Sequence, residues 1–420
     1  MSKSPGSTVA SPIKVGMVSL GCAKNLVDSE VMLGLLARAG CTLTHDPSDA
    51  DVLVVNTCAF IGPAKEESID TILEMARYKE EAKCKALIVA GCMGTRYKEQ
   101  LMQEMPEIDA VIGTGEVDQI PAVVQRVLGG ETFSQVGTPA FIYDHTAPRI
   151  RATLPHTAFI KISEGCNHPC AFCIIPAVRG RHRSRPMESI VDEARRLADE
   201  GVREVVLIAQ DTTWYGRDLY GDYKLAELLR RLARVDGIDW FRLFYAYPTH
   251  LSDEILDVIA QEERLCKYIE LPLQHASDRM LSLMRRRGDR AHIDRLIERI
   301  RSKIPGVTLR SSFIVGFPGE TEEDFAELLS FIEQVRFDHV GIFAYSQEEG
   351  TPAHDFAGQL PEEVKAERRR AAMELQRRIS REINRGLVGS VMRVLVDGPS
   401  SESDLVLVAR GERQAPDVDG

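Results

Sequence analysis

Cys166, Cys170 and Cys173 lie in the run Lys161-Ile-Ser-Glu-Gly-Cys-Asn-His-Pro-Cys-Ala-Phe-Cys173, a C-x3-C-x2-C spacing. Three thiolates in one short loop can hold three irons of a cubane cluster and leave the fourth iron open to a ligand. Electron-carrying ferredoxins supply four cysteines per cubane, so a loop with three and no local fourth points to chemistry at the open corner. Structural zinc is the plainer reading. It takes four Cys or His ligands, usually in paired knuckles, and His168 is the nearby spare donor.

A second trio lies upstream: Cys22 in Ser19-Leu-Gly-Cys22, Cys58 in Val55-Asn-Thr-Cys58 and Cys92 in Ala90-Gly-Cys92. Each follows an apolar, strand-like run (Ile13 to Leu20, Asp51 to Asn56, Lys85 to Gly91). Successive members are about one strand-helix unit apart, which takes ~30 residues or more. In an open parallel sheet the carboxyl ends of the strands line one edge, where ligands collect, so distant cysteines can meet there. Ordinary buried thiols are the alternative. Cys41, Cys84 and Cys266 follow no comparable loop and read as structural.

The elements around these residues alternate strand and helix. From Ile13, strands alternate with helical stretches over Leu26 to Ala39, Lys65 to Tyr78 and Tyr97 to Met105, the pattern of a doubly wound α/β domain. After a Gly- and Pro-rich connection the rhythm resumes at Phe159 to Ser163, Glu204 to Ala209, Trp240 to Tyr245, Tyr268 to Leu271, Thr308 to Val315 and Val340 to Ala344. Six units fall short of the eight of a closed barrel. Pro361 to Arg385 reads as a helix packed along one face, and Val391 to Val396 and Leu405 to Ala409 as two strands. Residues 1–12, rich in Ser, Pro and Gly, read as a disordered tail.

At 420 residues the chain is long enough for two or three domains. Nine cysteines are too few for a disulfide scaffold, no charged segment followed by an apolar one opens the sequence as a secretory leader would, and no apolar run in it approaches membrane-spanning length. The thiols are therefore expected in a reducing cytoplasm, with no membrane partner. Lys and Arg total 52 against 63 Asp and Glu, a formal charge of -11 that favours a basic partner.

The loop, with Phe172 before its last cysteine, resembles the signature of the radical S-adenosylmethionine enzymes. An upstream three-cysteine domain ahead of such a core resembles the methylthiotransferases, in particular the branch that modifies an aspartate of small-subunit ribosomal protein S-twelve. The strings that carry the resemblance are Asn56-Thr-Cys-Ala-Phe-Ile-Gly-Pro-Ala-Lys-Glu-Glu-Ser68, Gly91-Cys-Met-Gly-Thr-Arg-Tyr97, and Lys161 through Cys173-Ile-Ile-Pro-Ala-Val-Arg-Gly180. It implies two 4Fe-4S clusters, on Cys166, Cys170 and Cys173 and on Cys22, Cys58 and Cys92, and S-adenosylmethionine as both methyl donor and radical source. The implied partners are ribosomal protein S-twelve or the small ribosomal subunit, a reducing electron donor and a sulfur donor.

The resemblance further implies a methylthiotransferase domain over residues 13–130, a linker over 131–151, a partial (β/α)6 barrel over 152–382, and part of a TRAM-type β-barrel over 383–420. Functional residues of parallel barrels lie at the carboxyl ends of strands. There the family pattern places the S-adenosylmethionine contacts, here Gln210, Asp211, Gln274, Gly316, Gly319, Glu320, Tyr345 and Ser346. No catalytic residue beyond the cluster ligands stands out. His275 reads as a satisfied hydrogen-bonding histidine, and the basic runs Arg179 to Arg185 and Arg285 to Arg287 as solvated faces. Two rival readings stay open: a transfer RNA methylthiotransferase acting on isopentenyladenosine, and a non-catalytic iron-sulfur or zinc protein that docks on the ribosome.

Overall fold

The computed structural model describes residues 12–403 and 405–419, so the tail expected over residues 1–12 lies, except for Pro12, outside the described residues. The chain divides between Ala152 and Thr153 into two compact units.

In the first unit, β1 (Lys14–Ser19), β2 (Thr42–Thr44), β3 (Val52–Thr57), β4 (Ala86–Gly91), β5 (Ala110–Ile112) and β6 (Phe133–Gln135) form one parallel sheet ordered β2-β1-β3-β4-β5-β6. Every residue of β3 and β4 is buried, as continuous apolar runs in a parallel sheet require. Helix Ala23–Arg38 packs on β1, and helix Gly62–Ala76 on β3 and β4. The strand order reverses between β1 and β3, the point at which doubly wound sheets open a crevice. Two details differ from the sequence reading. β6 lies inside the expected linker, where a three-residue strand among Gly and Pro carries no periodicity to announce it. The helix expected over Tyr97 to Met105 is two short ones, Cys92–Tyr97 and Glu99–Glu104, broken at Lys98, whose φ is +48°.

In the second unit, β7 (Thr157–Lys161) is followed by a short antiparallel ribbon of β8 (Ser163–Glu164) and β9 (Arg183–Ser184). β7 then joins β10 (Glu204–Ile208), β11 (Trp240–Leu243), β12 (Leu265–Gln274), β13 (Thr308–Val315) and β14 (His339–Ala344) in a six-stranded parallel sheet of consecutive order. Its apolar core includes Ile160, Leu207, Leu229, Phe313 and Leu328, all buried. Helix Glu322–Val335 is started by a reciprocal cap: Asp324 N donates to Thr321 Oγ1 at 3.3 Å while Asp324 Oδ2 accepts from Thr321 N at 2.9 Å. Helix Glu362–Gly386 buries Lys365, Arg368, Ala372, Gln376 and Ile379, one stripe at helical spacing.

Beyond it, β15 (Val394–Pro399) and β16 (Leu407–Gly411) pair antiparallel. They dock at the amino-terminal ends of the barrel strands. His156 Nε2 lies 2.8 Å from Asp397 Oδ1, Arg410 pairs with buried Glu204 at 2.9 Å, and Tyr268 Oη donates to Asp419 at 2.7 Å. The ribbon leaves apolar side chains in water, Leu407 at 62% exposure among them.

Candidate metal centres

The loop Cys166–Cys173 begins where the β8/β9 ribbon turns. Cys166 N donates to Gly180 O at 3.1 Å, and Ala171 N to Met284 O at 3.0 Å. Ala353 N donates back to Ala171 O at 2.8 Å. Phe172 packs on a small cluster of Ala171, Met280, Met284, Phe317 and Tyr345, so the aromatic before the last cysteine anchors the loop. Cys170 is buried, Cys166 and Cys173 half-buried. Burial pushes the Cys166 thiol up to about 11 and the Cys173 thiol higher still, so metal must displace protons that a metal-free loop holds firmly.

The upstream trio is assembled by register. Thr57 of β3 lies opposite Gly91 of β4, and Cys58 and Cys92 each follow by one residue; Ser19 lies opposite Asn56, and Cys22 follows three residues on. Asn25 Nδ2 donates to Leu20 O at 2.7 Å and to Thr57 O at 3.2 Å, while Asn56 Nδ2 donates to Asn25 O at 2.9 Å and Ser29 Oγ at 2.8 Å. These buried amides tie the loops after β1 and β3 together. Two glycines let them close. A Cβ on Gly21, at φ +86°, would stand 2.7 Å from Cys58 Cβ, and one on Gly91, at φ +92°, 2.8 Å from Thr57 O. Ser68 Oγ accepts from Cys58 N at 3.1 Å and donates to Cys58 O at 2.9 Å, fixing the Cys58 backbone from helix Gly62–Ala76.

Among the described residues, only His168, Asp211 and His250 bring three ligand-type atoms within 4.8 Å of one another. One tetrahedral zinc with Zn–S bonds of ~2.3 Å would draw its sulfurs to about 3.8 Å apart. Neither cysteine trio is packed for that, whereas a cubane spreads its ligands over separate corners. Three thiols apiece are the donor count that a four-iron cluster with one open corner would take. Cys84 and Cys266 are buried and Cys41 half-buried; burial raises all three thiols, Cys266 to about 12.

The residues expected to touch the cofactor all lie at carboxyl ends of the second sheet's strands, and the structure gives them different employment. Gln210 Nε2 donates to Glu164 Oε1 at 2.6 Å, while its buried Oε1 has no partner. Gln274 ends β12 at φ +75°, a strained position of the kind that gathers at functional sites. Tyr345 is buried, which pushes its hydroxyl up to about 12, and Ser346 Oγ donates to Glu348 Oε1 at 2.7 Å.

Asp211 and Glu320 spend their oxygens on protein. Asp211 Oδ2 lies 2.6 Å from His168 Nε2, and Oδ1 accepts from Thr213 N and Oγ1 at 2.8 and 2.6 Å. Burial would raise this carboxyl, but the bonds from His168 and His250 hold it well below the usual range. Glu320 Oε1 accepts from His275 Nε2 at 3.0 Å, and its Oε2 accepts from Gly316 N at 2.5 Å and Arg368 Nη1 at 2.6 Å. His275 Nδ1 accepts from Ser277 N at 3.0 Å, so both its nitrogens are occupied. Glu320 thus clamps the Gly316–Gly319 turn, whose Gly319 N donates to Gly358 O at 2.8 Å.

Sequence reading missed Glu164, Trp214, Tyr247 and His250, and took His168 only as a spare zinc donor. His168 stacks on Tyr247 with ring centres 3.7 Å apart, and Trp214 meets His168 and His250 edge-on. Glu164 accepts from Lys161 at 2.6 Å and Arg179 at 3.1 Å. Burial would raise its carboxyl, and these two cations outweigh it and hold it far down. The expected solvated faces are not solvated throughout. Arg179 and Arg185 are buried, the latter paired with Glu193 at 2.6 Å, and Arg286 is half-buried. Charge runs carry no sign of which members turn inward.

Two family models match the chain, one described as uncharacterized protein family UPF0004 over residues 14–113 and one as the radical SAM superfamily over residues 160–332. Among solved structures, TsrM, a radical S-adenosylmethionine methyltransferase from Kitasatospora setae, superposes with a TM-score of 0.58 at 14% identity, covering 79% of this chain and 73% of that one. The cobalamin-dependent S-adenosylmethionine radical enzyme OxsB gives 0.54 at 12%, covering 87% and 56%. At such identities the likeness is one of fold. A parallel six-stranded sheet with three loop cysteines at its carboxyl edge is the architecture of the radical S-adenosylmethionine class. The ribosomal protein uS12 methylthiotransferase RimO of Pelotomaculum thermopropionicum is 51% identical over 408 residues, 97% of this chain and 92% of that protein. The RimO of Symbiobacterium thermophilum is 53% identical over 417 residues, 99% and 86%. The chain belongs to the RimO family of methylthiotransferases.

Proposed function

We propose that this protein inserts a methylthio group at the β-carbon of an aspartate of ribosomal protein S-twelve. The observation that carries the reading is identity of about half, over nearly the whole chain, to proteins named for that reaction. The two cysteine trios at strand ends support it. In this reading Cys166, Cys170 and Cys173 hold the radical-generating cluster, and Cys22, Cys58 and Cys92 the auxiliary one. When bound, the clusters and S-adenosylmethionine would pass on the reductant's electron and supply the hydrogen-abstracting radical and the methylated sulfur.

The chain's own residues bind, orient and keep water out. Gln210, Gln274, Gly316, Gly319, Tyr345 and Ser346 line the cofactor, the partnerless Gln210 Oε1 offering an acceptor to it. Asp211 and Glu320 serve the same site as positioning residues through His168 and the Gly316–Gly319 turn. Residues 13–135, with β6 as the edge strand, form the methylthiotransferase domain, 136–151 the linker and 152–382 the radical core, and 383–420 carry the TRAM-type strands. Among the described residues no helix is long and apolar enough to cross a membrane, and we place the reaction in the cytoplasm, with a separate sulfur donor and reductant.

The test is anaerobic incubation of the reconstituted protein with S-adenosylmethionine, dithionite, sulfide and either ribosomal protein S-twelve or isopentenyladenosine-containing transfer RNA. Methylthioaspartate in the protein is expected; methylthiolation of the RNA alone contradicts the reading.

A further inference from the structure

Of the three consecutive arginines Arg285 to Arg287, only the middle one turns inward. Arg285 and Arg287 are exposed and Arg286 is half-buried. The cause is local: helix Asp278–Leu283 ends in a turn closed by Arg286 N donating to Leu281 O at 2.8 Å, with Arg285 at φ +55°. That left-handed residue swings the next side chain toward the carboxyl ends of the sheet. There Arg286 Nη1 donates to Cys170 Sγ at 3.6 Å, and Nη2 to Pro272 O at 2.6 Å.

The guanidinium is held in place from two sides. Its carbon lies 4.1 Å from the centre of the Tyr247 ring. Tyr247 stacks with His168, and His168 bonds to buried Asp211, giving a continuous column from Arg286 to the strand end after β10. The same turn anchors the cysteine loop by backbone, through Ala171 N to Met284 O. Arg286 is therefore fixed relative to Cys170 by elements that move with the loop.

We infer that Arg286 is a positioning residue of the radical-generating site, where its guanidinium, donating to the Cys170 sulfur, stabilises the reduced state of the cluster the loop holds. Hydrogen bonds to ligand sulfurs and net charge are among the terms that set iron-sulfur potentials. One-electron reduction adds a negative charge to a centre already bearing three thiolates. A cation in contact with one of those sulfurs, at a buried cysteine, favours that added charge and is weakly screened. The inference rests on the loop holding a four-iron cluster, as proposed above.

The test uses the full chain, anaerobically reconstituted, carrying Cys22→Ala, Cys58→Ala and Cys92→Ala so that only the loop is loaded. Dithionite titration is followed by electron paramagnetic resonance. Arg286→Met removes charge and donor. It is expected to lower the equilibrium constant for one-electron reduction roughly tenfold, a downward shift of ~59 mV. Arg286→Lys, which keeps the charge, should recover at least half of that shift. An unchanged midpoint in an iron-loaded Arg286→Met chain overturns the inference and leaves the function intact; a parent chain that loads no iron at the loop overturns the function. Should Arg286→Met itself fail to load, the parent decides. With isotopically labelled arginine, its reduced cluster is expected to show coupling to an arginine nitrogen, and absence of that coupling refutes the role.

Discussion

The two cysteine trios reach the same ligand count by opposite routes. Cys166, Cys170 and Cys173 share one loop, held by the β8/β9 ribbon, the Met284 turn and an aromatic anchor. Cys22, Cys58 and Cys92 follow three different strands and reach one sheet edge because β1, β3 and β4 pair in one register. The first site is local, with its specificity in side chains around it. The second is a property of the sheet, and depends on backbone closeness at Gly21 and Gly91.

The contrast predicts which damage stays local. Cys170→Ala should abolish reductant-dependent 5'-deoxyadenosine while the upstream trio keeps about four irons per chain, one cubane; residual 5'-deoxyadenosine would break the division of labour. Gly91→Ala forces a Cβ against Thr57 O at positive φ and should cost about 2–3 kcal/mol. Its damage should be confined upstream: iron lost there, loop iron retained, as metal analysis after partial chelation would read. Loss from both sites would mean the first sheet does not act alone.

Thiol labelling of the metal-free chain sharpens the comparison. Cys22 is exposed, whereas burial pushes Cys166 up to about 11. At pH 8 buried Cys166 should be alkylated more slowly than exposed Cys22, its rate climbing as the pH rises toward 11. Equal rates would show an open loop. The smallest effect belongs at the far end of the barrel. Burial opposes ionisation of Asp397, but Arg410 and His156 hold its carboxyl below the usual range. A carboxyl lowered by folding stabilises above its unfolded value, and that stabilisation is lost as the pH falls through the folded one. Protection of the β15/β16 amides from hydrogen exchange should therefore drop in acid. Asp397→Asn should cost about 1 kcal/mol at neutral pH and flatten that dependence.

What could be read beforehand follows the same division. The loop trio is a spacing, visible in thirteen residues. The upstream trio is visible one step later, because each cysteine ends an apolar run one strand-helix unit from the next. The six strands of the second sheet announce themselves by apolar runs of ordinary length. β6 does not, since three half-buried residues show no period. Nor do His168, which bonds Asp211, and His275 and Arg368, which bond Glu320, because they come from loops and a helix distant in the chain. Arg286 is the sharpest case: three identical neighbours are told apart only by the left-handed turn at Arg285, a backbone fact with no compositional mark.

The central claim is two metal centres of three cysteines each. Iron and acid-labile sulfide, counted per chain after anaerobic reconstitution, test it directly. The account predicts about eight irons in the parent and about four once Cys22, Cys58 and Cys92 are all replaced by alanine. About four in both would contradict it.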